Sequence, residues 1–265
     1  MIEPPDDPQR DFRAKVLRYH AGFGETKNVS VAVEAPVNIV YGDTPYAVMM
    51  TTPAEIEDFV FGFSLTEGVI SGAQEIRGIE ISRQHEGYVA SVNLTPDALR
   101  RHMARRRNLS GRTSCGLCGV EDFSQLPSAP GKVGARASAP AAIARALASL
   151  HERQELFRAT RAVHAAAWSA SDGEVRIVRE DVGRHNALDK TIGACLRAGL
   201  PAHEGFALIT SRCSFEMIEK AAIFGAPALI SVSAPTSLAI ERAVALGVAL
   251  IAVARDDGAL AFVTP

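Results

Sequence analysis

Between Phe206 and Ala254 three short apolar runs alternate with two helix-length segments, and each helix-length segment is closed by a glycine. The runs Phe206 to Thr210, Ala228 to Val232 and Ala249 to Ala254 have the length and β-branched content of buried strands. Residues 215 to 224 and 237 to 246 have helical spacing and stop at Gly225 and Gly247. Such alternation predicts helices packed on a largely parallel sheet. Upstream, residues 162 to 179 read as a hairpin turning at Asp172-Gly173, and residues 185 to 198 as a helix with Leu188, Ile192, Cys195 and Leu196 on one stripe. A helix over 140 to 157 precedes them. After the third strand, Ala259 to Val263 can pair back across Asp257-Gly258.

The first half is less regular. Residues 29 to 41 read as two short strands around Pro36, and Tyr46 to Thr51 as another. Thr52, Pro53 and Glu55 form a helix-start pattern ahead of Ile56, Phe59, Val60 and Phe63, with Gly68 as the stop. Residues 76 to 95 read as a strand pair turning near Glu86-Gly87. The expected organisation is a loose leader over 1–27 and a small mixed α+β domain over 28–124. A Pro/Gly/Ser/Ala-rich linker follows over 125–140, then an α/β domain over 141–265.

Composition excludes several function classes. A net charge of −2 over 265 residues is not that of a dedicated nucleic-acid binder. No run reaches the roughly 18 apolar residues of a membrane span. The leader, MIEPPDDPQRDFRAK, has no apolar signal core. A cytoplasmic protein with no membrane and no nucleic-acid partner is expected.

In an open α/β sheet, ligands bind beyond the carboxyl ends of the strands. Polar residues gather at each expected end: Glu180 to Lys190, Ser211 to Glu216, Ser233 to Ser237 and Ala254 to Gly258. Three of these lead into helix N-termini, which favour anions. Simple capping is the alternative for each. EDVGRHNALDK reads either as a solvated, salt-bridged helix start or as a ligand surface with His185 as proton carrier or phosphate contact.

The four cysteines are Cys115, Cys118, Cys195 and Cys213. Cys115 and Cys118 form a CxxC set among glycines, after a run from 98 to 120 with six arginines and no acid. A structural zinc site needs two more ligands at suitable spacing, and none is apparent. A zinc deaminase needs H-x-E followed by P-C-x-x-C, and no histidine here has Glu two residues later. A thioredoxin-like pair should open a helix after a strand. A thiolate nucleophile remains, its acidity raised by nearby arginines. Cys195 reads as core and Cys213 stays open.

Together CGLCG, EDVGRHNALDK, TSRCSFEMIEKAA, SVSAPTSLAIERAVALG and EAPVNIVYG…TPAEIEDFVFGFSLTEGVI resemble the formate dehydrogenase accessory sulfurtransferases, the FdhD family, over about residues 30 to 260. The resemblance implies that sulfur passes as a persulfide from a cysteine desulfurase to the molybdenum cofactor, molybdenum bis-molybdopterin guanine dinucleotide. The cofactor serves the catalytic subunit of formate dehydrogenase. It implies Cys115 as the persulfide carrier and Cys118 as helper or alternate carrier. The family's cofactor-binding stretch falls on Val253, Ala254, Arg255, Asp256, Asp257 and Gly258, where Val253 replaces a frequent aromatic residue. Arg184, His185 and Thr236 are further candidates for the cofactor crevice. The resemblance also implies a cytidine deaminase-like three-layer C-terminal domain, a smaller mixed N-terminal domain and a homodimer. Two readings of other classes stay open: a non-catalytic cofactor-binding chaperone and a zinc-binding interaction module.

Overall fold

A computed structural model describes residues 7–107, 129–136 and 138–265, with backbone alone for 105–107. Its first element corrects the expected loose leader. β1 (Gln9–Arg18) and β2 (Gly22–Ala32) pair antiparallel as a two-stranded ribbon, with Phe12 opposite Val29 and Arg10 opposite Val31. Its side chains are mostly exposed, so the apolar-in, polar-out alternation that betrays a half-buried strand is missing.

Next comes a four-stranded sheet in the order β4-β3-β6-β5, built from β3 (Ala35–Tyr41), β4 (Thr44–Thr51), β5 (Ile76–Gln84) and β6 (Gly87–Leu94). Gly42 and Asp43 join β3 to β4 with φ of 52° and 61°. Positive φ at both central residues is the hairpin geometry whose twist matches the flanking strands. One sheet face is apolar: Val37, Ile39, Tyr41, Tyr88, Ala90 and Val92 are buried. That face packs on α1 (Ile56–Thr66), and α2 (Pro96–Arg107) follows β6. The expected helix start at Thr52 is not used. The residue before α1 is Glu55, in the left-handed region at φ 47°, because Thr52 is buried and spent elsewhere.

The second half holds a six-stranded sheet in the order β12-β11-β10-β9-β7-β8. Its strands are β7 (His164–Ala170), β8 (Val175–Asp181), β9 (Gly205–Ile209), β10 (Ala228–Ser231), β11 (Ala249–Arg255) and β12 (Gly258–Val263). Only β9, β10 and β11 run parallel. The pairings β7–β8, β7–β9 and β11–β12 are antiparallel. The sheet is therefore mixed, not largely parallel, because hairpins close both ends of the parallel centre. The helices are α3 (Pro140–Glu152), α4 (Glu155–Thr160), α5 (Arg184–Arg197), α6 (Phe215–Phe224) and α7 (Ser237–Leu246).

Strand alternation serves both faces. Phe206, Leu208, Ala228, Ile230 and Ala249 pack against Ile143, Leu147 and Leu150 of α3. Ala207, Ile209, Leu229 and Leu250 pack toward α5, α6 and α7. On the far side of α5 lies α1, so one apolar core runs from the four-stranded sheet through α1 and α5 to the six-stranded sheet. Residues 129–136, inside the expected linker, lie along the helical layer: Ala129 and Val133 join this core, and Val133 N–H donates to Leu246 O at 2.8 Å.

The α1–α5 contact is made by glycines. A Cβ on Gly62 would stand 1.8 Å from Asp189 O, and one on Gly193 would stand 1.8 Å from Asp58 O. Only hydrogen lets the two backbones approach so closely. Overpacking of this kind costs typically about 1–3 kcal/mol, and more where the obstacle is backbone. We expect Gly193→Ala to lower the midpoint of urea unfolding by at least that amount. Gly131→Ala, which meets nothing within 4 Å, should stay within about 0.5 kcal/mol of the parent. Equal midpoints for the two variants would remove the glycine contact from the account.

Candidate functional site

β8 runs antiparallel to β7, and β7 antiparallel to β9, so β8 points the same way as the parallel strands. The carboxyl ends of β8, β9, β10 and β11 therefore share one edge, and the four polar clusters meet there. Main-chain bonds lace the loops together. Cys213 N–H donates to Ala234 O at 3.2 Å, Thr236 N–H to Cys213 O at 3.0 Å, and Val253 N–H to Ser233 O at 3.1 Å. Ser231 Oγ donates to Ser211 O at 2.8 Å.

EDVGRHNALDK divides into inward and outward residues. Asp181 and Lys190 are both fully buried, and Lys190 Nζ lies 2.8 Å from Asp181 Oδ2. That same oxygen accepts the Thr52 N–H at 2.9 Å and the Thr51 hydroxyl. Asp181 Oδ1 accepts Gly183 N–H at 2.8 Å and Asn186 Nδ2 at 3.0 Å. Lys190 Nζ also donates to Thr52 O at 3.0 Å, and Asn186 Nδ2 to Met50 O at 2.8 Å. One turn before Lys190, Asp189 pairs with Lys220 at 2.8 Å and accepts from the Thr66 hydroxyl at 2.9 Å. A second tie joins the halves: Asp58 on α1 pairs with Arg179 at 2.7 Å and Arg197 at 2.6 Å. Buried charges persist only when paired and hydrogen-bonded. This half of the motif is neither a solvated helix start nor a ligand surface. It fastens the β4–α1 connection to β8 and α5. Glu180, on the opposite side of β8, accepts the Leu156 and Phe157 N–H groups at 2.8 Å each, while burial pushes its carboxyl upward.

Arg184 and His185, in the first turn of α5, stand at the edge itself. His185 Nε2 is 2.6 Å from Glu216 Oε2 in the first turn of α6, a charge contact rather than an aligned hydrogen bond. His185 at this contact holds the Glu216 carboxyl below its usual range against partial burial, with Lys220 and Arg184 adding to the effect. Burial first, then the charges of Arg184 and His185, hold the His164 imidazole below the ordinary histidine value. Among the described residues, Arg184 Nε, His185 Nε2 and Ser214 Oγ are shielded from solvent with no hydrogen-bond partner. Ser214 precedes α6 but its side chain makes no cap bond. Three unpaired polar atoms beside two helix N-termini form a place where an anionic or strongly hydrogen-bonding ligand would be held. Glu216 was visible as part of a polar cluster, and Ser214 as its neighbour. His164 opens a strand and carried no sequence signal.

The other predicted residues fall in three places. Thr236 caps α7, its hydroxyl accepting Ala239 N–H at 3.2 Å. Val253 sits at φ 53°, in the left-handed region, where the β11–β12 register shifts. A β-branched residue rarely adopts that conformation, and such strain gathers at binding sites. Ala254 is buried behind it, while Arg255, Asp256, Asp257 and Gly258 form the exposed hairpin turn. Val253 and Arg184 lie on strands four positions apart in one sheet, roughly 19 Å at the usual strand spacing. The structure thus sets the two groups of candidates along one edge but not in contact. Cys115 and Cys118 lie outside the described residues. Cys195 and Cys213 are buried, and burial pushes both thiols up to about 12. Neither forms a thiolate readily near neutral pH. Among the described residues, no three His, Cys, Asp or Glu side chains are gathered as a metal ion would need, and no helix is long and apolar enough to cross a membrane.

The electrostatics of the edge can be checked through His164. Its proton should leave below about pH 6.5 in an NMR titration. Arg184→Gln should move that midpoint upward, since one of the positive charges opposing protonation is gone. An unchanged midpoint would place Arg184 away from this histidine.

Comparison with known proteins follows the same lines. The family model described as the FdhD/NarQ family matches residues 32–265. The sulfur carrier protein FdhD of Xanthomonas axonopodis pv. citri is 45% identical over 251 residues, 94% of this chain and 89% of the relative. The protein of that name from Cupriavidus necator is 44% identical over 260 residues, 98% of this chain and 90% of the relative. Among solved structures, a protein from Desulfotalea psychrophila assigned a formate dehydrogenase accessory role is similar with a TM-score of 0.75. It shares 26% identity, with 98% of each chain covered. On a family match across most of its length, and relatives at 44–45% identity, the chain belongs to the FdhD/NarQ family.

Proposed function

We propose that this protein carries sulfur on Cys115, taken from a cysteine desulfurase, and delivers it to the molybdenum of a bound bis-molybdopterin guanine dinucleotide destined for formate dehydrogenase. The observation that carries the ligand assignment is the set of unpaired donors at the sheet edge, Arg184 Nε, His185 Nε2 and Ser214 Oγ. They suit an anionic group such as a pyrophosphate at one end of the edge. The strained Val253 and the exposed turn after it mark the other end. An extended dinucleotide matches two polar stations well separated along one edge better than a small metabolite does. The family names of the relatives support the sulfur part of the proposal. We read the six-stranded sheet, with helices on both faces, as the cytidine deaminase type, and the working form as a cytoplasmic homodimer.

The chemistry falls to Cys115 and Cys118, because the other two thiols are buried. The Cys115 thiolate attacks the outer sulfur of the donor's persulfide. The donor's S–S bond breaks, the donor leaves as a thiolate, and Cys115 holds the outer sulfur as a persulfide anion. Attack of the Cys118 thiolate on the inner sulfur of Cys115 then expels the outer sulfur as sulfide, the form a metal binds. The two electrons come from the cysteine pair, which ends as a disulfide that a cellular thiol reductant reopens. The arginines upstream of Cys115 lower the cost of the thiolate.

Cys115→Ala should abolish formate dehydrogenase activity in cells, while Cys195→Ala leaves it intact. Undiminished activity in the Cys115 variant would support a cofactor chaperone that breaks no sulfur bond. Mass spectrometry after incubation with desulfurase and cysteine should place one extra sulfur on the peptide holding Cys115. At the edge, Arg184→Gln should weaken binding of guanosine diphosphate about tenfold, the loss of one charged hydrogen bond. Equal affinity in calorimetry would move the phosphate elsewhere.

A further inference from the structure

The chain re-enters the described structure at Ala129, eleven residues after Cys118. Its N–H donates to Glu219 Oε2 at 2.9 Å. Glu219 lies on α6 and is 1% exposed. Its other oxygen, Oε1, pairs with Arg242 Nε on α7. A buried carboxylate is thus divided between a helix-to-helix ion pair and the main chain of a segment in neither helix. The ion pair alone would tie α6 to α7. The second bond holds the start of residues 129–136.

The direction of that segment is the informative part. From Ala129 the chain runs to Val133, bonded to Leu246 at the end of α7, and to Arg136, whose N–H donates to Pro227 O at the start of β10 at 3.4 Å. Those contacts lie at the amino edge of the parallel strands, opposite the polar edge. Ala129 is held one turn into α6, about 6 Å along the helix from Phe215. The chain therefore runs away from the polar edge downstream of Ala129, and the residues upstream enter from the polar side. Eleven residues can span at most roughly 39 Å, twice the distance between the two polar stations.

We infer that Glu219 is a positioning residue for sulfur transfer: by fixing the Ala129 main chain beside the polar edge, it sets where the segment carrying Cys115 and Cys118 is tethered. This rests on the sulfur-carrier reading above. Glu219 touches neither sulfur nor ligand and acts through the tether. Because Val133 and Arg136 have their own bonds, loosening Ala129 frees the upstream end while the rest stays in place.

The test separates loading from delivery. Loading is the fraction of Cys115 carrying an extra sulfur after incubation with desulfurase and cysteine. Delivery is formate dehydrogenase activity in cells per loaded Cys115. Glu219→Gln keeps the shape but replaces a charge-assisted bond with a weaker neutral one. It should leave loading within about twofold and reduce delivery about fivefold, with faster hydrogen exchange at the Ala129 amide. Glu219→Ala should reduce delivery further; if it fails to fold, the glutamine variant decides alone. Loading and delivery falling together would mark a merely structural role and overturn the inference. So would unchanged delivery with a faster-exchanging Ala129. Absence of loading in the parent protein would instead strike the sulfur-carrier reading itself.

Discussion

The buried pair of Asp181 and Lys190 is the constraint on which the rest of this molecule depends. Both side chains are wholly removed from water, and each is surrounded by main-chain partners from the β4–α1 connection. Removing one member of such a pair costs about 3–5 kcal/mol, because the other is left as an uncompensated charge. The geometry is correspondingly demanding. Thr51 and Thr52 must reach Asp181 in the conformation seen, which forces the chain into a left-handed turn at Glu55 before α1 can begin. Once α1 starts there, Gly62 and Gly193 meet, and the two sheets are set at a fixed separation.

This arrangement explains how one eleven-residue motif does two jobs. On α5, Asn186, Asp189, Lys190 and Gly193 face the first half of the chain, at the three- and four-residue spacing that keeps side chains on one helix face. Arg184 and His185 precede that stripe and stand at the open end of the helix, where the backbone N–H groups are also free. The buried face holds the helix still, and its stillness is what makes the two exposed side chains a defined site. Glu216 then couples the site to α6, one turn before Glu219 holds Ala129.

Much of the second half was legible because each strand there is short, apolar and closed by a glycine-stopped helix. The polar clusters after β8, β9, β10 and β11 were placed correctly as one edge even though the sheet is mixed. The antiparallel hairpin of β7 and β8 restores the direction of β8, and residue patterns do not encode that register. The ribbon of β1 and β2 was illegible for the opposite reason: its strands bury little, so no period marks them. Thr52 misled because a threonine ahead of Pro53 looks like a cap, and its actual partner is about 130 residues away. Position-by-position reading also could not show that Val253 adopts a glycine-like backbone, since nothing in a valine announces φ of 53°. Thr236 was placed on the right helix start, where it acts as a cap. The identities of Cys115 and Cys118 were plain from sequence, and their surroundings remain a matter for chemistry.

The contact of Gly62 with Gly193 has a consequence for motion. Two helices that touch through backbone have no side chains between them to repack, so α1 cannot slide or rock on α5 by small steps. Asp58, Asp181 and Asp189 pin the same seam at three points along its length. The two sheets therefore move as one block, without the cleft closure that two-part proteins use around large ligands. Whatever adjustment a bulky guest requires must be made by the chain at the rim, while the block beneath serves as a fixed gauge of its length.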